Sequence, residues 1–600
     1  MSLQRSLTRW LASAAVVVLA APPARAQEAQ AVRYLVSFPA LGRHEAHVHA
    51  TIPTDGQPAV DVMMPIWTPG VYRHEDYADA VDSVLARAAD GTSLSVQRTR
   101  RNHWRIDTRG TPAVTLTYRL RAASQDPTAN WVGDSVIVLN GPATYLTPVG
   151  GEGRPAYVRL ALPAGWTSLT SLDTASDHAP NHYRASSYDA LADAPIVAGH
   201  LQTVQFDVAG ATHMLVDAGA AGDFSGERAG RALLRLVVQT QRFWGFLPYP
   251  RYEFLNVFRA GAAGPPHLNS TLLTASSTTL DTPQSFQAWL VTAARGYFAA
   301  FNGTRLHPAE FTPLDREAIP SSPSLWIADG LDDYYAELMV ARAGLARPQD
   351  FLDRISALIA RLQNDAGRRV QTLTAASLDA GTPAARNARA GRTLNFAVKG
   401  AVVSLLLDAH IRVLTKGARS LDDVLRLAYE RHSGTAGYTA EQFRSAASEV
   451  AGTDLSDWFA HALDSTDELD YQEMLTWYGL EFTGGRRYVL HVVAAPTTPA
   501  LPGAPVDTTA GTPPTYVQQQ QHLQALLKAD AGPPPGPAPD SGSVQRVHES
   551  AGAAHPQAGM SVTRPAAARQ RAVPRPTSGI PRSPPPAPRA APAPPGRATA

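Results

Sequence analysis

The chain contains no cysteine among its 600 residues. This absence excludes disulfide bonds, thiolate nucleophiles and any metal site with cysteine ligands. An exported domain of ordinary size can fold without disulfides, so their absence does not argue against export. An excess of charge is lacking as well, because the formal net charge is +1. Such a balance gives no electrostatic reason to expect nucleic acid or an acidic substrate as a partner.

Apolar runs long enough to cross a bilayer are also missing. A transmembrane helix needs about 20 residues, and the run Trp10–Ala20 is shorter than that. Arg5 and Arg9 precede it as a basic start, and the small-residue cleavage pattern Ala24–Ala26 follows. This order predicts a signal peptide at residues 1–26, a mature chain without a transmembrane span, and a periplasmic or secreted bacterial protein. An uncleaved membrane anchor is the alternative interpretation.

The pattern of apolar residues divides the chain into two folded regions. From Tyr34 to about Leu201, short apolar runs alternate with Gly, Pro, Asp and Asn. This spacing predicts an N-terminal β-sandwich domain over residues 27–203. From there the apolar period becomes helical, which predicts an α/β and helical domain over residues 204–480. Within it, the nearly all-apolar run 401–407 predicts a buried central helix.

The last hundred residues have a different composition. They hold 21 of the 49 prolines, and the final fifty contain seven Arg but no Asp or Glu. Such a segment cannot bury enough apolar surface to offset the entropy lost on ordering. We therefore predict a disordered Pro/Ala/Arg-rich tail over residues 501–600. A shifted reading frame in a GC-rich gene and a functional basic arm are two possible origins of this tail.

Two segments resemble a known family. The run Met64-Pro65-Ile66-Trp67-Thr68-Pro69-Gly70-Val71-Tyr72 resembles the Met-Pro-x-Trp-x-Pro-Gly-x-Tyr signature of the glycyl aminopeptidase family of metallopeptidases, family 61. The segment Phe286–Asn302, followed by Arg305-Leu306-His307-Pro308, is similar to the helix that carries the family's zinc-binding His-Glu-x-x-His. The resemblance covers roughly Tyr34 to Tyr478. It implies an α+β multidomain fold in which a β-sandwich precedes a thermolysin-like (gluzincin-type) domain with C-terminal helices, and it makes residues 481–500 a possible remnant of a PDZ-like domain.

At the zinc-binding positions this chain carries other residues. In an alignment anchored on Asn302, Arg295 and Ala299 replace the two His, and Gly296 replaces the Glu between them. Zinc peptidase chemistry needs two imidazoles one helical turn apart and a carboxylate that acts as base. None of the three side chains can do this. The resemblance therefore predicts no metal and no cofactor here, whereas active relatives use zinc.

Three further motifs have changed inside frames that are otherwise retained. The family's third zinc ligand, a Glu, corresponds to Asp329. The Glu that holds the substrate's free amine corresponds to Pro266, and two Tyr near the oxyanion correspond to Phe396 and Ala397. Losing even one oxyanion donor typically costs roughly a hundredfold or more in rate. The zinc-binding helix and these three motifs have each lost a catalytic residue, and four such losses are hard to explain by a misalignment. We therefore predict that this chain has lost zinc proteolysis.

Arg295 offers a replacement for the charge of the metal. We predict that it pairs with Asp329, since both positions touch zinc in relatives and a buried carboxylate without a partner is costly. The alternative is that Arg295 extends along the cleft to solvent. Gly296 in mid-helix costs about 1 kcal/mol relative to Ala, which fits relaxed selection or an opened cleft. His267 and Asn269 are the candidate binding residues that remain in the cleft.

Two other clusters are weaker candidates. His47 and His49 alternate along one predicted strand, and we interpret them as a solvated strand face. A makeshift metal site in the cleft is a further alternative, although acidic residues also suit the start of a helix. Its ligands would be His267, Asp329, Asp332 and Asp333.

The leading interpretation is an exported, catalytically inactive homologue of a zinc aminopeptidase that acts on peptides with N-terminal Gly or Ala. Its former active cleft would still bind peptides or a protein partner. The alternative is an active metallo-aminopeptidase or other hydrolase with an atypical site, and a decaying gene is a third reading. Resemblance supplies the family, whereas only the site can establish an activity.

Overall fold

The computed structural model describes residues 30–222, 224–276, 280, 282–382, 392–483, 488–494, 514–528 and 545–547. The predicted signal peptide and most of the predicted tail lie outside these residues. Within the described ranges, no helix combines the length and hydrophobicity that a membrane span requires.

The N-terminal region consists of three β-sheets. Its strands are β1 Val32–Ser37, β2 Glu45–Pro53, β3 Ala59–Met63, β4 Val81–Ala88, β5 Ser93–Leu94, β6 Val96–Arg100, β7 His103–Asp107, β8 Ala113–Arg121, β9 Trp131–Val132, β10 Val136–Leu139, β11 Thr147–Pro148, β12 Ala156–Ala161, β13 Thr167–Thr170, β14 Asp173–Thr174, β15 His182–Ala185 and β16 Ile196–Gly199. The sheet orders are β14-β15-β12-β1-β2-β8-β4-β5, β13-β16-β10-β9 and β11-β3-β7-β6. Two short helices, α1 Gly141–Thr144 and α2 Tyr188–Ala192, lie in the connections.

Strand β2 shows why this sequence forms half-buried sheets. Val48 and Ile52 are fully buried in the core of the region, whereas His47 and His49 lie on the opposite, more exposed face. Successive side chains of a strand point to opposite faces, so alternation of this kind buries one face only. The structure confirms a β-rich N-terminal domain, and the two histidines belong to its solvent-facing side.

The second region combines one larger sheet with a helical array. Its strands are β17 Gln202–Val208, β18 Ala211–Gly219, β19 Arg251–Phe258, β20 Ser270–Ala275, β21 Leu480–Thr483, β22 Val489–Val492 and β23 Gln545–Val547. Its helices are α3 Gly226–Trp244, α4 Pro283–Ala299, α5 Leu331–Arg342, α6 Pro348–Asn364, α7 Leu373–Asp379, α8 Phe396–Leu414, α9 Leu421–His432, α10 Ala440–Ala451, α11 Ser456–Asp464, α12 Gln472–Tyr478 and α13 Tyr516–Leu527. The larger sheet has the order β20-β19-β18-β17-β23, so β20 forms one edge.

Helix α4 begins with a capping box. The Thr282 hydroxyl accepts from the backbone N–H of Ser285, the Ser285 side chain reciprocates, and Pro283 occupies the first turn. Such a capping box satisfies N–H groups that have no partner inside the helix. The helix therefore has a fixed beginning, and its second half carries the positions matched to the zinc ligands.

Helix α8 is the buried central helix that the apolar run predicts. Residues 398–409 are all buried along it. It crosses a single π-helical turn, Trp326–Gly330, which leads directly into α5. A Cβ atom on Gly330 would lie 2.6 Å from the Cα atom of Gly400, so glycine at both positions permits this close crossing. The π-helical turn and α8 thereby hold Asp329 in a fixed position.

The segment that follows α12 is folded onto the helical array. Strands β21 and β22 form an antiparallel hairpin, and the Leu490 N–H donates to the Ser356 hydroxyl of α6 at 2.9 Å. This hairpin is the part of residues 481–500 that the structure describes. Its interpretation as a PDZ-like remnant stays a prediction.

One part of the predicted disordered tail is a helix. In α13, the His522 ring stacks on Trp477 with ring centroids 3.6 Å apart, and Leu523 and Leu526 are buried. The prediction of disorder over residues 501–600 is therefore wrong for residues 514–528, and strand β23 is a second element of regular structure in that range. A composition averaged over one hundred residues concealed a short segment with its own apolar face.

Candidate functional site between the two regions

The loop that carries the N-terminal signature reaches the second region. Trp67 is buried, and its Nε1 donates to the carbonyl oxygen of Asp315 at 2.7 Å. Gly70 has a φ of 83°, and a Cβ atom there would lie 2.6 Å from Cδ of Pro266. Both the backbone conformation and the contact require glycine at this position. Loops from the two regions therefore meet at Gly70 and Pro266.

A cavity of about 220 Å³ lies beside this meeting point. Part of its wall is apolar and includes Pro69, Pro266, Phe311 and Leu314. Its polar wall includes Tyr72, Asp193, His267, Arg316, Asp329 and Asp332. The cavity thus combines an apolar pocket with a cluster of ionisable groups, as ligand sites in proteins commonly do.

Arg295 on α4 faces carboxylates of the π-helical turn and α5. Its Nε donates to Asp333 Oδ1 at 2.6 Å, and its Nη2 lies 3.6 Å from Asp329 Oδ1. The predicted approach of Arg295 to Asp329 is confirmed, but the shorter contact is with Asp333. The side chain of Arg295 is 32% exposed, so it keeps access to water while making both contacts.

The carboxyl groups here outnumber the cation. Burial raises the pKa of Asp329 to about 7, with Arg295 opposing and Asp333 adding to the rise. Burial also raises the pKa of Asp332 well above its ordinary value, although Arg295 and a 2.9 Å hydrogen bond from Asn302 Nδ2 oppose it. Burial would lower the pKa of Arg295, yet the three carboxyl groups outweigh this and raise it. The guanidinium stays charged, and the cluster remains short of positive charge.

Gly296 faces the sheet and has a packing role. A Cβ atom there would lie 2.5 Å from Cγ2 and 2.9 Å from Oγ1 of Thr271 on β20. The Thr271 hydroxyl is itself hydrogen-bonded to Tyr252 at 2.6 Å. Any side chain at position 296 would move α4 away from β20. Ala299 is buried and does not line the cavity. The sequence explanations for Gly296, relaxed selection or an opened cleft, missed this close approach.

Tyrosine hydroxyls enter the site from unexpected places. Phe396 packs edge-on against Tyr72 with ring centroids 6.2 Å apart, and Ala397 follows it at the start of α8. Tyr72 lines the cavity, and burial followed by the charge of Asp329 raises its pKa. Burial raises the pKa of Tyr438, and nearby carboxyl groups, Asp332 foremost, add to the rise. Its buried hydroxyl has no hydrogen-bond partner in the described part of the chain. Sequence reasoning assigned no site role to Tyr72, and no motif marks Tyr438.

Only one of the two predicted binding residues lines the cavity. His267 is buried there, with Nδ1 3.4 Å from Asp193 Oδ1, and its Nε2 has no partner among the described residues. Asn269 instead accepts a hydrogen bond from Arg305 Nη2 at 2.7 Å. Arg305 also donates to the carbonyl oxygen of Leu268 at 2.7 Å, so Asn269 helps to fix the loop that presents His267.

The residues present do not fit a zinc ion. Across the described ranges, no group of three or more His, Asp or Glu side chains is arranged to hold a metal. The four ligands of the makeshift site therefore do not come together in that way. In the alignment anchored on Asn302, the positions assigned to the family's zinc site hold a guanidinium, a glycine and a methyl group, none of which is a zinc ligand.

Comparisons with known proteins identify the scaffold. Residues 33–200 match the family model of the Peptidase M61 N-terminal domain, and residues 288–403 match that of the M61 glycyl aminopeptidase. Over these two stretches the chain carries the N-terminal and glycyl aminopeptidase domains of family M61, so the scaffold is peptidase-related.

One of the matching solved structures has the same fold as this chain. An aminopeptidase N family protein from Idiomarina loihiensis is 23% identical and has a TM-score of 0.71, covering 75% of this chain and 78% of that chain. An M1 zinc metallopeptidase from Deinococcus radiodurans is 13% identical with a TM-score of 0.46, covering 74% of this chain and 95% of that chain. No curated protein sequence gives a significant match.

Proposed function

We propose that this protein is an exported, catalytically inactive relative of the glycyl aminopeptidases, whose cavity binds the free N-terminus of peptides. The observation that carries this proposal is the pairing of Arg295 with Asp329 and Asp333. A permanent cation at the first zinc-ligand position repels a divalent metal. Without the metal, both the Lewis acid and the activated water are lost. Export rests on the pattern of residues 1–26.

The balance of charge supports a cationic ligand. Asp329 and Asp332 line the cavity, whereas Arg295 does not. Burial raises the pKa of both carboxyl groups and so favours their protonated forms, whereas a nearby positive charge favours their ionised forms. The ammonium group of a peptide N-terminus can supply that charge from the cavity side. In the family, a Glu at the position of Pro266 holds the substrate's free amine. In this chain the carboxyl groups of the cavity wall would bind that amine instead.

The size and lining of the cavity support a small residue next to this amine. About 220 Å³ lies below the 300–1,000 Å³ that is typical of sites for larger ligands. Phe311 and Leu314 provide an apolar wall, and Pro266 closes one side. An N-terminal Gly or Ala fits such a space better than a bulky side chain.

Metal content and turnover test the inactive state. The purified chain is examined for zinc by elemental analysis and for hydrolysis of glycyl- and alanyl-arylamides. We expect no stoichiometric zinc and no turnover above a blank. Stoichiometric zinc together with turnover would establish the alternative, an active hydrolase with an atypical site, and would overturn the proposal.

Calorimetric titration tests the binding activity. Glycyl-glycinamide is compared with its N-acetylated form, which has the same backbone but no ammonium group. We expect binding and thermal stabilisation from the free amine only, because a ligand that binds the folded state stabilises it. Equal responses to the two peptides, or none to either, would contradict recognition of a peptide N-terminus.

A further inference from the structure

A second charged site lies at the other end of helix α4. A groove of about 640 Å³ is bounded by α3, the first turn of α4 and the segment that joins α5 to α6. Pro283 borders this groove, whereas Arg295, twelve residues later, lies at the cleft. At 1.5 Å per residue the two places are roughly 18 Å apart along the helix. The groove is therefore separate from the cavity already described.

Arginines dominate the charge of this groove. Arg228, Arg231 and Arg235 follow one another at spacings of three and four residues, so they share one exposed face of α3. Arg347, beside the start of α6, lines the groove as well.

Carboxylates neutralise only part of this charge. Asp350 pairs with Arg347 at 2.7 Å, and Glu227 lies 3.9 Å from Arg231. Within the described ranges, Arg228 and Arg235 have no carboxylate partner. Two guanidinium charges in the groove are thus left for an anion from solution.

Both of these guanidinium groups are held in position. That of Arg228 lies 4.1 Å from the centroid of the Phe286 ring. That of Arg235 donates from Nη2 to the carbonyl oxygens of Ala343 at 2.6 Å and Gly344 at 2.9 Å. Gly344 has a φ of 65°, and a Cβ atom there would lie 2.6 Å from the same nitrogen. These contacts fix the cations without cancelling their charge, which lowers the entropy lost when a ligand binds.

Two helices begin at the groove and add to its positive potential. Pro283 and Gln284 belong to the first turn of α4, and Arg347 immediately precedes α6. Helix N-termini favour anions, and arginine forks match the oxygen geometry of phosphate. We propose that this groove binds a phosphate-bearing ligand, either a soluble phosphate ester or the headgroup of an anionic phospholipid.

Two probes distinguish these sources in the full chain. Pyrophosphate is titrated by calorimetry at low ionic strength, and binding to vesicles of phosphatidylglycerol is compared with binding to vesicles of phosphatidylcholine. The test variant is the double substitution Arg228→Gln with Arg235→Gln, which removes the two guanidinium groups that have no carboxylate partner in the described part of the chain. We expect its affinity to fall tenfold or more, since hydrogen bonds between charged groups are the strong ones. The matched control is Arg242→Gln, an exposed arginine of the same helix that does not line the groove.

A second variant tests the groove without removing an arginine. Gln284→Glu adds a negative charge at an exposed position in the first turn of α4, where an acid suits the helix and does not endanger folding. We expect it to weaken binding of the same probe severalfold, with an unchanged melting temperature in the absence of ligand.

The outcomes decide the proposal. Pyrophosphate binding that both groove variants lose supports a soluble phosphate ligand. Binding to phosphatidylglycerol vesicles alone, lost in the same variants, supports a lipid headgroup. Failure to bind either probe, equal binding to both kinds of vesicle, or an equal loss in Arg242→Gln would overturn it.

Discussion

Two clusters of charge in the second region differ in their balance. The first, the helix-core cluster, consists of Arg342, Asp408, Arg412 and Asp422. Arg342 Nη1 donates to Asp422 Oδ2 at 2.7 Å, and both side chains are 1% exposed. Arg412 Nε donates to Asp408 Oδ2 at 2.9 Å. Two cations meet two anions, so the helix-core cluster is neutral within the protein.

The second, the cleft cluster, consists of Arg295, Asp329, Asp332 and Asp333. Here one guanidinium meets three carboxyl groups, and two of the acids line a cavity. A neutral buried cluster has its charges satisfied by the fold, whereas an unbalanced one beside a cavity needs protons or a ligand. Burial and charged pairs occur in both clusters, so they do not by themselves indicate a ligand site. The excess of carboxyl groups over cations, found only in the cleft cluster of these two, is what indicates one.

The largest expected effect comes from unbalancing the helix-core cluster. Asp422→Asn keeps the shape of the side chain but leaves Arg342 buried without its anion. We expect a loss of about 3–5 kcal/mol in the free energy of unfolding, the usual cost of breaking a buried pair. Denaturant unfolding measures it. Asp333→Asn is the matched change in the cleft cluster and should cost far less, because Arg295 is 32% exposed and keeps Asp329. Equal losses would remove the distinction between the clusters.

The cleft cluster should also make stability depend on pH. The pKa of Asp329 is about 7 in the folded chain and close to 3.8 when unfolded, so between these values the folded state holds a proton that the unfolded state has lost. The free energy of unfolding therefore falls as pH rises from about 4 to about 7. Asp329→Asn should remove a part of this fall on the order of 4 kcal/mol.

Thermal unfolding between pH 4 and pH 8 checks that expectation. Glu253 and Glu337, whose pKa values burial also raises to about 7, remain in the variant, so a smaller slope persists. The variant should match the parent near pH 4 and exceed it at pH 8. A variant that is equally destabilised at both pH values would show that Asp329 is held as an ionised partner of Arg295 throughout.

Gly296→Ala tests how tightly the helix of the cleft cluster is placed. Alanine usually stabilises a helix by about 1 kcal/mol over glycine. Here the overlap with Thr271 should reverse the sign and destabilise the chain by about 1–2 kcal/mol. A double-mutant cycle with Thr271→Ala, followed by denaturant unfolding, should show coupling of the two positions. If the two substitutions instead changed the free energy of unfolding additively, α4 would be able to shift away from Thr271 without loss of stability.

The smallest expected effect concerns ligand affinity. Asp329→Asn should weaken binding of glycyl-glycinamide about tenfold, which corresponds to about 1.4 kcal/mol, because one carboxyl group is lost from the cavity wall. Asp350→Asn, which removes a carboxylate from the arginine groove, should leave this affinity unchanged. Calorimetry compares the two variants, and an equal loss in both would indicate a general charge effect.

Features that depend on local pattern were predictable from the sequence. The signature around Trp67, the apolar run of α8 and the frame around Asp329 led to the α+β fold and to the approach of Arg295 to Asp329. These features are periodicities or contiguous motifs, and each can be interpreted without knowing which distant segments come into contact.

Features that depend on distant contacts were not predictable. The contact of Gly296 with Thr271 joins a helix to a strand, and nothing near either residue signals it. Asp333 was interpreted as part of a helix start or of a makeshift metal site, and its contact with Arg295 was not expected. The π-helical turn before α5 changes the angular spacing of side chains, so a pattern based on 3.6 residues per turn does not show which acid meets Arg295.

Helix α13 has a practical consequence for anyone who shortens this chain. The Leu526 carbonyl oxygen accepts from Arg342 Nε at 2.9 Å, so the late helix supplies an acceptor to the deepest arginine of the helix-core cluster. A shortened chain that ends near residue 500, where proline becomes frequent, would lose that acceptor together with α13 and would uncover Trp477, on which His522 stacks. Poor solubility of such a product would reflect the cut, and it would be mistaken for a defect of the parent protein.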